Sequence, residues 1–201
     1  MTQQQMPAFT VEPLAQAELD SFFAYLNDHL GDNGSEGAGY FQPLPSKASR
    51  VPMDKEKAFR GGLAVALGTA GWRRAWVARG LHGRILGHVD LRARAEDFTA
   101  HRCLLGMGVD RDHRRLGIGM SLLTQACRWA ASTPMLQWID LQVLSANERA
   151  MRLYLQAGFV KTGETPEMFE LDGTLWSYTS MSKRIAMSEP QGAMAELQPA
   201  A

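Results

Sequence analysis

Apolar residues along the 201-residue chain recur with two periods, and the alternation between them lays out the elements. Phe9 to Glu12 reads as a first strand, and Pro13-Leu14 opens a helix whose Leu19, Phe22, Phe23, Leu26 and Leu30 form one stripe. A second helix begins at Pro52, carries Phe59, Leu63, Ala66 and Leu67 on its apolar side, and ends at the glycines between Gly68 and Gly71. Ala75 to Arg79 and Ile85 to Leu91 alternate as strands about the turn-rich segment 80–84. Cys103 to Val109 is a short apolar run between polar residues, hence a buried strand, and Ile118, Leu122, Ala126 and Ala130 then mark one helix face. Trp138 to Leu144 alternates again, Asn147 to Phe159 is a helix closed by Gly158, and a last strand is expected around Leu175 to Met181. No internal repeat interrupts this order.

Between Gly31 and Ser46 four glycines and two prolines surround Tyr40, Phe41 and Gln42, which predicts a loop. Two readings of it stand: a binding lip built on Tyr40 and Phe41, or a surface connection with the aromatic rings tucked beneath. Hydrophobic residues make up 45% of the chain and charged ones 21%, enough for one domain with a sizeable core. That domain is expected over residues 9–186, between a flexible stretch 1–8 and a disordered tail 187–201.

Equal numbers of basic and acidic residues leave no net field that would draw the chain to nucleic acid or to an anionic membrane, so neither is expected as a partner. Met1 to Gln5 lacks the basic region and apolar core of a secretory signal, and no apolar run is long enough to span a bilayer. Cys103 and Cys127 fall on an apolar strand and an apolar helix face, where a reduced, packed thiol is the default, and no histidine pairs with either in an evident motif. A cytoplasmic setting is the expectation. Trp129 and Trp138 are expected in the core rather than in a substrate cage.

The stretch from Asp110 to Gly117 joins the Cys103–Val109 strand to the helix that follows it. A helix N-terminus carries unpaired N–H groups and partial positive charge, so it binds phosphate where side chains leave the approach open. Gly117 and Gly119 leave it open, although two glycines in a strand-to-helix turn also satisfy backbone geometry alone. Neither dinucleotide-binding signature is present. The spacing Arg114-x-x-Gly117-x-Gly119 instead resembles the pyrophosphate loop of the GCN5-related N-acetyltransferases (GNAT). Downstream, Asn147-x-x-Ala150-x-x-Leu153-Tyr154-x-x-x-Gly158-Phe159 resembles that family's second signature, and the two stand in the family's order.

The resemblance implies a mixed α/β fold, a twisted mixed sheet of six to seven strands with helices on both faces, splayed between strands 4 and 5. Those strands would lie at roughly residues 101–109 and 137–144, and the gap would receive acetyl-CoA as cosubstrate. Met107 and Val109 would then bind pantetheine. Arg114, Arg115, Leu116, Gly117, Ile118, Gly119 and Met120 would bind the pyrophosphate, and Asn147 the pantetheine arm. The implied reaction moves acetyl to a primary amine by direct attack through a tetrahedral intermediate, with no metal. The acceptor is an amine-bearing small molecule or peptide, and a homodimer is carried as an open assembly.

Deprotonating an alkylammonium at pH 7 costs about 4 to 5 kcal/mol, so a base or desolvation is needed. The oxyanion would be met by a backbone N–H near Met107 to Val109 if that strand is bulged. Many relatives place a glutamate on this strand, and none occurs between His101 and Val109. His101 is the candidate base at the strand's start, His88 and Asp90 share one face of the preceding strand, and water is a further route. Glu96 and Asp97 lie in an expected loop. The resemblance makes Tyr154 the general acid. Full proton transfer from a free phenol to the leaving thiolate is uphill by about 2 kcal/mol, so a strong hydrogen bond to the leaving sulfur is the physical form of that role. The alternative class is a non-catalytic acyl-CoA-binding sensor, since a phosphate loop serves binding whether or not turnover follows.

Overall fold

Among the described residues, strands β1 (Thr10–Pro13), β2 (Arg73–Arg79), β3 (Ile85–Ala93), β4 (Arg102–Val109), β5 (Trp138–Leu144), β6 (Val160–Leu171) and β7 (Thr174–Arg184) form one mixed sheet in the order β1-β2-β3-β4-β5-β7-β6. Four α-helices pack on it: α1 (Leu19–Leu30), α2 (Met53–Gly62), α3 (Ile118–Ala131) and α4 (Glu148–Gln156). This is a computed structural model that describes residues 9–185, so the expected flexible stretch 1–8 and the tail 187–201 lie outside the described residues.

Neighbouring strands are antiparallel except β4 and β5, which run parallel and are joined by the crossover through α3. The alternation seen in the sequence assigns the two faces. Trp76, Val89, Leu91, Cys103, Leu105, Ile139 and Leu141 bury against Ile118, Leu122, Leu123 and Ala126 of α3 and against Tyr154 of α4. On the opposite face Ala75, Val77 and Ile85 meet Phe22 and Phe23 of α1 and Phe59 of α2. Each helix therefore turns its apolar stripe inward, and the stripe read from Leu19 to Leu30 is core. Trp129 packs on the core beside Trp76 and Trp72, whereas Trp138 is half-buried beneath the Arg102 guanidinium.

Two elements differ from the pattern reading. The second helix stops at Gly62 rather than near Leu67, because a glycine pair ends it and Gly62 approaches the Gly71 carbonyl so closely that a Cβ would lie 2.7 Å from it. Strand β6 was not anticipated. It is an edge strand exposed on both faces and its register with β7 shifts twice, so no period-two alternation marks it. The signal that was available is Asp172-Gly173, both at positive φ in the turn between β6 and β7. No helix among the described residues is long and apolar enough to cross a membrane.

Candidate active site

The parallel ladder of β4 and β5 runs from Arg102↔Trp138 through Cys103↔Ile139 to Leu104↔Asp140 and ends there, although both strands continue. Past Leu104 they part, and the backbone groups of β4 that face β5 are left without a ladder partner. The other edge of β4 pairs regularly with β3, from Gly87↔Val109 to Ala93↔Cys103. The bulge considered from the sequence is therefore absent, and the divergence of β4 from β5 frees the amides instead.

At the open end of this gap the chain passes through a 3-10 turn (Arg111–His113) into α3. Asp110 builds the turn: its carboxylate accepts from the Asp112 amide at 3.0 Å, from His113 Nδ1 at 2.8 Å and from Arg84 at 3.2 Å. Burial alone would raise the Asp110 carboxyl, but these hydrogen bonds prevail and hold it below the usual carboxylate range. Arg115 and Gly117 both take positive φ, at 67° and 80°. A Cβ on Gly117 would meet nothing within 4 Å, so backbone conformation and not crowding demands glycine there.

Gly117 is the N-cap of α3, and the first backbone bond of the helix joins the Ser121 amide to the Gly117 carbonyl at 3.0 Å. The amides of Ile118, Gly119 and Met120 have no side-chain cap and remain for an anion. Gly119 answers to packing instead. Its missing Cβ would stand 3.0 Å from Leu153 of α4 and 3.6 Å from both Met107 and Val109, so those two side chains point at α3 while their backbone borders the gap. Arg114 hydrogen-bonds the Val109 carbonyl at 3.4 Å and lies over the Phe41 ring, Leu116 packs on the core, and Arg115 is exposed.

Across the gap, Asn147 caps α4, its side-chain oxygen accepting from the Ala150 amide at 3.2 Å, which leaves its amide hydrogens for a ligand. Tyr154 is 7% exposed and packs on Phe159. Burial, with Tyr178 adding to it, pushes its phenol well above the ordinary value, so it is a proton donor and never a phenolate at neutral pH.

The α1 side of β4 carries a ring cluster. A Cβ on Gly108 would lie 2.6 Å from His29 Nε2 and 2.8 Å from the His88 ring, and the Tyr25 hydroxyl is 3.2 Å from His88 Nδ1. Burial lowers His29 to about 4 and His88 to about 3, each with a smaller contribution from a neighbour, Arg114 for His29 and His29 for His88. Both are neutral imidazoles at pH 7, and His29 Nδ1 is buried without a hydrogen-bond partner among the described residues. The Phe41 ring lies tilted against His29, centroids 4.9 Å apart. The 31–46 loop is anchored by Asn33, 1% exposed, which accepts from the Phe41 and Gln42 amides and donates to the Gln42 and Leu44 carbonyls and to Ser49. No pattern in the sequence set Asn33, Tyr25 or His29 apart.

Two further expectations meet the geometry differently. His88 and Asp90 do share a face of β3, and both are buried. His101 is exposed in the turn before β4, where its carbonyl accepts from the Gln137 and Trp138 amides. That is the paired end of the ladder, seven residues and roughly 20 Å along the strand from Gly108, so the fold does not bring His101 to the gap. Glu96 and Asp97 are exposed, and Glu96 is held by Arg94. Among the described residues no group of three or more His, Cys, Asp or Glu side chains is arranged to hold a metal ion.

A strand, an amide-lined turn and a helix thus open onto a splayed parallel pair. The acetyltransferase (GNAT) family model matches residues 47–159, and the chain belongs to that family. It is 28% identical over 98 residues to the catalytic subunit NAA10 of the N-terminal acetyltransferase A complex of Arabidopsis thaliana, which covers 49% of this chain and 51% of that protein. The chain thus spans about half the length of that curated relative. The structure of yncA, a putative acetyltransferase from Salmonella typhimurium with its cofactor acetyl-CoA, superposes with a TM-score of 0.71 over 92% of this chain and 99% of that one at 18% identity. Spermidine N-acetyltransferase from Vibrio cholerae, in complex with CoA and spermine, does so at 0.67 over 89% and 96% at 17% identity.

Proposed function

We propose that this chain transfers acetyl from acetyl-CoA to a primary amine by direct attack through a tetrahedral intermediate. One observation carries the reading: the β4–β5 ladder ends at Leu104 although both strands continue, and the helix that follows β4 begins with uncapped amides. The amides from Arg114 to Met120 receive the diphosphate, Met107, Val109 and Asn147 border the pantetheine arm, and free β4 amides receive the developing oxyanion. Tyr154 hydrogen-bonds the departing sulfur. His29 and His88, held neutral, put no positive charge against an incoming ammonium, and its proton leaves through water rather than through His101. A cytoplasmic setting belongs to the same reading and is supported by two unpaired thiols, Cys103 being pushed up to about 12 by burial.

Release of free CoA thiol across a panel of amines tests this, with mass spectrometry of the product. Acetylated amine at a rate set by enzyme concentration is the expected result. Saturable acetyl-CoA binding with no turnover on any amine would favour the sensor instead.

A further inference from the structure

The α1-side face of the sheet carries two carboxylates, each gripped by two arginines. Asp90 on β3 is paired by Arg73 at 3.0 Å and by Arg92 at 3.1 Å, and Asp140 on β5 by Arg94 at 2.9 Å and Arg102 at 2.5 Å. The register sets these pairs side by side, since Arg92 is opposite Leu104 and Leu104 is opposite Asp140. Four guanidiniums meet two carboxylates. Even with Glu96 at the rim, bonded to Arg94 at 2.6 Å, positive charge is left over.

Three of the arginines are committed. Arg73 is largely buried and lies over the Phe59 ring, Arg94 spans Glu96 and Asp140, and Arg102 grips both Asp140 oxygens while stacked on Trp138. Arg92 bonds Asp90 through one nitrogen and keeps a third of its side-chain surface exposed, at 34%. A guanidinium has five N–H donors, so most of its capacity is unspent. A Cβ on Gly106 would fall 3.0 Å from Arg92 Nη1 and 2.8 Å from Asp90 Oδ1, so the pair lies over bare backbone just past the last rung of the β4–β5 ladder. Burial raises the Tyr178 phenol on β7, and the Arg92 charge opposes that rise.

We propose that the acceptor amine also carries a carboxylate, and that Arg92 binds this carboxylate at the Gly106 floor while the amine faces the thioester. The proposal rests on the transferase reading and narrows its substrate to the amino-acid class. Gly106 and Gly108 are two residues apart, roughly 7 Å, a span that a small amino acid bridges between the guanidinium and the reacting end. A polyamine would set its second ammonium against the leftover positive charge.

The test pairs several L-amino acids with the amines left when their carboxylates are removed, adds spermidine, and follows thiol release with wild type, Arg92→Gln and Arg92→Lys. Arg92→Gln leaves Asp90 its partner Arg73, so the variant folds, which its melting temperature checks. Wild type should favour the carboxylate member of each pair by roughly tenfold to a hundredfold in kcat/KM, the worth of one charged hydrogen-bonded pair. Arg92→Gln should bring that ratio near unity and Arg92→Lys should keep part of it. A wild type that prefers the decarboxylated amines or spermidine, or a preference unchanged in Arg92→Gln, overturns the proposal. If no amine is acetylated, the transferase reading fails separately, and the melting temperature with CoA plus N-acetylated amino acids reads the subsite alone. An upward shift lost in Arg92→Gln upholds the anion site, and no shift in wild type overturns it.

Discussion

The Tyr40 hydroxyl donates a hydrogen bond to the Asp172 carboxylate, clasping the 31–46 loop to the turn of the β6–β7 hairpin across 132 residues of chain. The Ser46 amide donates to the same oxygen at 2.9 Å, and the Tyr40 ring rests on Trp176 at 5.0 Å. The hydrogen bond from Tyr40 holds the Asp172 carboxyl below its ordinary range. Phe41 of the same loop lies on His29, which borders Gly108 of β4, and the hairpin continues the sheet beyond β5, so on the proposed reading the clasp shapes the acceptor side. Tyr40→Phe, and more strongly the Tyr40→Ala/Phe41→Ala double variant, should raise acceptor KM several-fold and by more than acetyl-CoA KM. Steady-state kinetics in both substrates checks it. An effect confined to acetyl-CoA KM would show that the lip does not serve the acceptor.

Tyr154→Phe keeps the packed ring and removes only the hydroxyl. The phenol is buried and protonated, so on the proposed reading it acts by a hydrogen bond to charge that develops on sulfur, and kcat should fall on the order of tenfold to a thousandfold. Acetyl-CoA affinity should change little. Single-turnover rates are the appropriate measurement, since slow product release masks a chemical step. A wild-type single-turnover rate in the Phe variant would remove Tyr154 from the chemistry.

Gly117 separates conformation from charge. Asparagine tolerates the left-handed backbone that Gly117 adopts and would meet no neighbour within 4 Å, so Gly117→Asn should fold with modest loss of affinity. Gly117→Glu adds strain and a negative charge where the diphosphate belongs, and acetyl-CoA Kd should rise by tenfold or more. Calorimetric titration of both variants distinguishes the effects. Equal affinities for the two would place the diphosphate away from α3.

Stability should fall on acidification through the histidine range. His29 and His88 are held at about 4 and about 3 in the folded protein, largely by burial, against an ordinary value of 6.5. Below pH 6.5 the unfolded chain therefore binds protons that the folded chain refuses, and unfolding is favoured by on the order of 1 kcal/mol per pH unit for each imidazole until the folded values are reached. Above about pH 7 neither group contributes a slope. Denaturant unfolding of wild type and His29→Gln between pH 4.5 and 7.5 reads the difference. The variant should show a shallower acid decline, and identical slopes would mean that His29 titrates normally in the folded chain.

Local regularity made much of the molecule legible in the chain. The stripe from Leu19 to Leu30, the four-residue recurrence from Ile118 to Ala130 and the alternation of β2, β3 and β5 encode elements because helix and strand periods are properties of neighbouring residues. The Gly117 turn was readable for the same reason, since it answers a need of its own few backbone groups, whereas the capping role of Asn147 emerged only in the structure. Strand β6 escaped because an edge strand exposed on both faces has no buried side to impose a period. The separation of His101 from Gly108, the nearness of His29 to that glycine, the Tyr40–Asp172 clasp and the place of Arg92 over Gly106 depend on strand order and register. Those are settled by how whole faces bury against one another, so residues far apart in sequence meet only when the sheet is assembled. No short window of the chain carries that information.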